Sequence, residues 1–232
     1  MTTLIRATFE NGEARTAVLT PEETMWMVPA PASFGGVARS YFVIGVEHIL
    51  FGLDHLLFLA GLLVIAGNFR RAIVTATGFT IAHSLTLALV ALDVIAVPVA
   101  AVEATIALSI VFLAAEIARG NRGTLAWRRP ALIASAFGLV HGAGFAAALS
   151  EIGLPATEKT AALLFFNLGV EAGQVAIILL VFGALAAVRR LPVLPRIEEI
   201  GGGRGASRIL AYALGAVAAF WFVERTAGIF FA

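Results

Sequence analysis

Long apolar segments alternate with short polar ones along most of this chain. Six of the apolar segments reach the roughly 20 residues that a helix needs to cross a bilayer, and polar residues rarely interrupt them. The connections between them carry charged or turn-forming residues. We therefore predict six transmembrane helices, over approximately 39–66, 72–92, 98–118, 131–150, 160–188 and 207–230.

The residues before the first apolar segment have a different pattern. Residues 2–9 and 14–19 have the composition of strands, and Asn11-Gly12 between them is a common hairpin turn. We predict a hairpin-like extracytoplasmic tail over 1–38, expected to be the remnant of a larger region, and a six-helix transmembrane domain over 39–232. The predicted fold class is thus all-α, a polytopic membrane helix bundle.

Composition supports a membrane location. Hydrophobic residues make up 60% of the chain and charged residues 13%, about half the charged share of a soluble domain. No basic stripe indicates nucleic acid, so the lipid bilayer is the expected surrounding, and an oligomer is compatible with the sequence. The chain has no cysteine, which excludes disulfides and thiolate ligands.

The distribution of basic residues predicts the orientation. Eleven of the sixteen lie in the odd-numbered connections, and five lie in the tail, the even-numbered connections and the last span. The richer side should face the cytoplasm. We therefore expect a bacterial inner (cytoplasmic) membrane protein with both termini on the extracytoplasmic side.

All four histidines of the chain fall inside predicted spans. Ionisable groups at the bilayer centre cost roughly 2.5 kcal/mol or more and usually face a bundle interior, where they serve a function. Counting from the span ends places several of them near the midplane, with Glu171 slightly outward. The candidate metal ligands are His48, Asp54, His55, His83, His141 and Glu171.

Helical spacing separates these residues into two layers. His48 and His55 are seven residues apart, which is roughly 10 Å along a continuous helix, so both reach one ion only if the helix breaks, for instance at Gly52. The simpler interpretation is an outer layer at Glu47 and His48 and an inner layer that contains the other ligands. Residues expected along the entry path or behind the ligands are Glu47, Glu103, Asn167, Gln174 and Ser84.

Imidazole combined with carboxylate is a ligand set that suits nickel, cobalt, zinc, copper or iron. Asp54 is either a direct ligand or a residue that orients His55. A histidine in a membrane helix is also often a plain hydrogen-bonding residue between helices. Convergence of several at one depth favours a cation, with nickel, cobalt or zinc as the expected ion.

The chain resembles the HupE/UreJ family of membrane proteins, which is assigned to nickel or cobalt uptake. The resemblance is carried by His48 followed after five residues by Asp54-His55, and by the segments 79–86, 102–104, 114–116, 137–142 and 166–171. It implies that His48, Asp54 and His55 handle metal. The fourth helix departs from the hydrogenase-linked branch, because only His141-Gly142 stands where that branch has a denser pattern, and this departure puts nickel specificity in doubt.

Residues 51–55 and 137–141 share the pattern Phe-Gly-Leu-x-His. One span runs inward and the other outward, so the match is compatible with an inverted repeat of three plus three helices. Phe-Gly-Leu is also common in membrane helices.

Three functions are open at this point. The leading hypothesis is a permease or facilitator for a divalent metal that binds at mid-bilayer. The alternative is an intramembrane zinc-dependent hydrolase, in which three histidines hold zinc and a carboxylate activates water. The third is haem ligation by paired histidines.

Overall fold

A computed structural model describes residues 3–8, 14–19, 33–152, 158–190 and 204–231. The two N-terminal segments are strands, β1 (Thr3–Thr8) and β2 (Ala14–Leu19). They pair antiparallel, with Thr3 opposite Leu19 and Thr8 opposite Ala14. This pairing agrees with the predicted hairpin, whose turn lies outside the described residues.

The rest of the described chain is helical, which confirms the predicted all-α bundle. Each long helix covers one of the predicted spans, except that the first span is divided into two helices, and a short helix lies in a predicted connection. The helices are α1 (Phe34–Phe51), α2 (Leu53–Ala66), α3 (Phe69–Ala91), α4 (Val99–Arg119), α5 (Leu125–Arg128), α6 (Pro130–Ile152), α7 (Lys159–Arg190) and α8 (Arg204–Phe231).

Several helix ends are explained by local sequence. Ser33 and Asn68 cap α1 and α3, where each side chain accepts a backbone N–H of the first turn that has no helical partner. Gly67 and Gly120 end α2 and α4 in the left-handed conformation, with φ of 71° and 64°. Glycine adopts this conformation without steric cost, which explains why these two connections begin where they do.

Four helices in the described part of the chain, α3, α4, α7 and α8, are long and apolar enough to cross a membrane. α1 and α2 are bent by 69° relative to each other and pass the same test only together, as a broken span or a re-entrant segment. The stretch Pro130–Ala146 of α6 is apolar but shorter. The protein is therefore a membrane protein, and the count of six spans stays a prediction.

Two parallel helix pairs build the centre of the bundle, α1 with α7 and α3 with α6. Glycine allows the backbones to touch. A methyl group at Gly45 or Gly169 would meet the backbone of the facing helix at Phe166 or Phe42, and one at Gly142 would meet the carbonyl oxygen of His83. Such close approach is how membrane helices gain packing energy in a lipid solvent.

Candidate metal centre

The first span breaks at Gly52. This residue is extended, with φ −74° and ψ 98°, and its N–H donates to the carbonyl oxygen of His48 at 3.0 Å. The break brings the rings of His48 and His55 to 4.4 Å between centroids, whereas a continuous helix would separate them by roughly 10 Å. The expectation of two separate layers was therefore wrong for His48, which lies beside the inner histidines.

Three imidazoles form a compact group. His48, His55 and His83 each offer one ring nitrogen, and the three nitrogens lie within 4.8 Å of one another. Ligands at about 2.1 Å from one tetrahedral ion are about 3.4 Å apart, so side-chain movements of about an ångström would let the three share a cation. His55 and His83 are buried and His48 is half-buried.

Asn167 fixes the orientation of His83. The side-chain NH₂ of Asn167 donates to the carbonyl oxygen of Leu163 at 2.8 Å, so its Oδ1 is the atom 3.2 Å from Nδ1 of His83. Nδ1 must then carry the hydrogen and donate it, which leaves the lone pair of the neutral ring on Nε2. Nε2 has no hydrogen-bond partner among the described residues, as expected of an atom that faces a cation.

Ser109 does the same for His141. Its hydroxyl donates to the carbonyl oxygen of Ile106 at 2.6 Å, and its oxygen lies 3.2 Å from Nε2 of His141. A hydroxyl has one hydrogen, so Nε2–H donates to Ser109 and the lone pair is on Nδ1. In the described chain that Nδ1 has no partner either. The His141 ring is 5.1 Å from that of His55, next to the three-imidazole group.

Aromatic rings surround the four histidines. Phe145 lies 3.9 Å from His48, Phe58 lies 4.9 Å from His141, and Phe79 lies 6.2 Å from His55, all between ring centroids. These apolar walls exclude competing hydrogen-bond partners. Buried nitrogens without partners are costly in such surroundings, and a bound cation would satisfy several of them together.

Asp54 lies apart from this group. Its carboxylate pairs with the guanidinium of Arg225 on α8 at 3.4 Å, and Arg225 also donates to the carbonyl oxygen of Glu103 at 3.1 Å. The side chain of Arg225 is 23% exposed and that of Asp54 27%. Sequence reasoning counted Arg225 only as a charge on the outer side. An arginine inside an apolar span requires a counterion. The position of Arg225 within the last span therefore indicates an acidic partner such as Asp54.

Asn167, Glu171 and Gln174 form a polar stripe on α7, at positions i, i+4 and i+7, that faces α3. Beyond the Asn167–His83 contact, Gln174 accepts from the Thr80 hydroxyl at 2.9 Å, and one oxygen of Glu171 accepts from Thr77 at 2.6 Å. The other oxygen of Glu171 is buried and has no partner in the described structure. This polar α3–α7 seam continues from the histidines toward the arginine-rich end of the bundle.

The three other predicted residues lie around the centre. Glu47 is exposed on α1, one residue before His48, and Glu103 is exposed on α4. Ser84 is the residue after His83 and donates to the carbonyl oxygen of Thr80 at 2.6 Å. None of the three belongs to the group of facing ring nitrogens found in the described residues.

Fold and site together define a class: a polytopic helical membrane protein with a buried imidazole cluster that could hold a metal ion. The family model described as HupE / UreJ protein matches residues 23–225, nearly the whole chain. The chain belongs to this family, which is associated with nickel and cobalt transport. No curated protein and no solved structure matches it.

Proposed function

We propose that this protein is a permease or facilitator for a divalent transition metal, nickel or cobalt, and that the ion binds at mid-bilayer depth on His48, His55 and His83. The single observation that supports this most is the meeting of three ring nitrogens within 4.8 Å inside a membrane bundle. We place the protein in a bacterial cytoplasmic membrane with both termini outside, as the arginine distribution predicts.

The chemistry of the cluster suits a cargo that must leave again. Its donors are neutral imidazoles, and the predicted carboxylate ligand Asp54 is already paired with Arg225. A dication loses hydration free energy when it enters an apolar interior, and neutral donors compensate for only part of that loss. Binding should therefore be selective through nitrogen ligation, yet weak enough for release.

A polar route runs through the bundle on both sides of the cluster. Outward of it, Glu47 is exposed one residue before His48 on α1 and can attract cations. On the side of the arginine-rich helix ends, the α3–α7 seam presents two polar pairs, Thr80 with Gln174 and Thr77 with Glu171. The free oxygen of Glu171 would offer the ion an anionic contact within this seam.

The zinc hydrolase alternative is not favoured. That chemistry needs a carboxylate beside the metal to activate water. Of the two candidates, Asp54 is bound by Arg225, and Glu171 is not part of the group of facing ligand atoms found in the described residues. The family relationship also favours transport.

The test is metal flux into liposomes that contain the purified protein and a trapped metal-sensitive dye, with nickel, cobalt and zinc offered in turn. We expect flux for at least one ion, and its loss to the level of empty liposomes in the His55→Ala/His83→Ala variant. Lower external pH should slow uptake, because imidazoles that take up protons lose the lone pairs that bind metal.

A matched control is Thr105→Val. Thr105 is exposed on α4 and donates only within its own helix, to the carbonyl oxygen of Ala101 at 2.7 Å, so flux should be unchanged. Absence of flux for all three ions would reject transport. Unchanged flux in the double histidine variant would reject the cluster as the binding site.

A further inference from the structure

A second candidate site lies at the N-terminal end of α3, away from the histidines. It is a cavity of about 490 Å³ between the beginnings of α3 and α6 and the α5 segment. None of its lining residues belongs to the metal centre. The cavity is lined by Arg70, Arg71, Val74, Thr75, Arg128, Arg129, Pro130, Ala131 and Leu132.

Four of these nine residues are arginines and none is acidic. The ion pairs within 4.0 Å in the described chain join Arg119 to Glu116 and Arg225 to Asp54, so the four arginines have no carboxylate partner there. Arg71 donates to the carbonyl oxygen of Trp127 at 2.7 Å, which fixes one guanidinium at the edge of the cavity. The cavity is a strongly cationic site without a described counterion.

Helix geometry adds to this charge. α3 begins at Phe69 and α6 begins at Pro130, and both helices are 23 residues long. Both helices therefore begin at the same cavity, and the positive ends of their dipoles add to its positive potential.

A buried hydroxyl provides independent evidence for a ligand. Thr75 is 2% exposed, lines the cavity, and its Oγ1 has no hydrogen-bond partner in the described residues. A threonine in a helix commonly donates to the carbonyl oxygen four residues earlier, as Thr105 does. A buried hydroxyl with nothing to bond is costly. Its Oγ1 is itself inaccessible, so a rotation of the Thr75 side chain toward the cavity it lines would let the hydroxyl donate to an acceptor oxygen there.

The rim of the cavity is apolar. Val74 and Leu132 are each 54% exposed, on helices that pass into the hydrophobic part of the bundle. A free phosphate ion would leave this surface unused. A phospholipid would place its phosphate among the arginines and its acyl chains along these two residues.

We infer that this cavity binds the headgroup of an anionic phospholipid, with the phosphate held by Arg70, Arg128 and Arg129 and accepting a hydrogen bond from Thr75. Basic pockets between membrane helices are suited to such headgroups. The inference does not depend on the metal centre.

The experiment is native mass spectrometry of the full chain released from neutral detergent with phosphatidylglycerol or phosphatidylcholine. We expect wild type to retain phosphatidylglycerol about tenfold better or more, and the preference to disappear in Arg128→Gln/Arg129→Gln. Thr75→Val should reduce it by a smaller factor. The matched control is Arg190→Gln/Arg208→Gln, which removes two exposed charges outside the cavity and should keep the preference.

Equal retention of both lipids by wild type would overturn the inference. So would a preference that the Arg128/Arg129 variant keeps, or one that the Arg190/Arg208 control loses equally. Inorganic phosphate at millimolar concentration is a separate arm. If it removes the bound lipid completely, the site recognises phosphate alone and the lipid assignment is wrong.

Discussion

The helix pairs α1–α7 and α3–α6 are built alike up to one point. In each, a glycine lies against the backbone carbonyl of a phenylalanine on the facing helix: Gly45 against Phe166, and Gly138 against Phe79. Three residues later each helix carries a histidine, and the ring of that histidine lies near the same phenylalanine. The centroid distances are 5.5 Å for His48–Phe166 and 5.1 Å for His141–Phe79.

The pairs differ in the chain beyond that histidine. α1 stops at Phe51 and the chain begins a new helix at Leu53, whereas α6 continues to Ile152. The span that begins with α1 therefore contributes two histidines to the centre, and α6 contributes one. The shared Phe-Gly-Leu-x-His pattern aligns Gly52 with Gly138. By its contacts, however, Gly138 corresponds to Gly45. A glycine three residues before a histidine thus has two uses, close packing and interruption of the helix.

The largest expected effect is on stability, and it tests the use of glycine for close packing. Gly45→Leu and Gly138→Leu each drive a side chain into a backbone carbonyl that cannot move aside. The loss of stability should exceed the about 1–3 kcal/mol of ordinary over-packing, measured as the yield of monodisperse protein and its thermal unfolding in detergent. Gly183→Leu is the control, because nothing lies within 4 Å of a methyl group there. Normal yield for both would show that these contacts do not hold the pairs together.

The next effect compares the histidines. His48→Ala and His55→Ala remove members of the facing group and should weaken binding of nickel or cobalt by more than about 100-fold, beyond the range for supporting residues. His141→Ala removes a neighbouring ring outside that group and should cost about tenfold, the range for residues that support a ligand. Isothermal titration of the purified protein measures this. Equal losses in all three would indicate that His141 ligates the ion directly.

The smallest effect concerns the break itself. A methyl group at Gly52 would meet the carbonyl oxygen of His48 and lie 3.1 Å from Nδ1 of His55. The φ and ψ of Gly52 are open to any residue, but the new methyl group forces the backbone carbonyl of His48 to shift. Gly52→Ala should therefore lower stability less than Gly138→Leu does, and lower metal affinity about tenfold through the displaced rings. Gly35→Ala, with free space around it, should have no effect. Unfolding of Gly52→Ala would assign this glycine to packing rather than to ring placement.

Sequence predicted the helices well because apolar length is a local property. It also placed His55, His83 and His141 at one depth, since depth is obtained by counting along a span. The break at Gly52 was only conceivable from the sequence, because many membrane helices contain glycine without breaking, and packing decides. The Asp54–Arg225 pair joins residues 171 positions apart, and no local pattern indicates such a contact.

The orienting residues were only partly predictable. Asn167 and Gln174 were expected near the site from the stripe on α7, but which atoms they would contact depended on α3. The sequence carries no local signal for the role of Ser109, because its contact with His141 joins α4 to α6. The arginines around the cavity were counted for topology alone, because their convergence requires the helix ends to be placed in space.

The interruption at Gly52 also divides the first span mechanically. α1 packs mainly on α7 and α2 mainly on α4. His48 and His55 therefore belong to two differently packed helices that are joined by one extended residue. An ion shared by both rings would act as a staple across this joint and stiffen it. Amide hydrogen exchange at residues 50–54 should therefore slow when the ion is bound, and the angle between α1 and α2 would report whether the site is occupied.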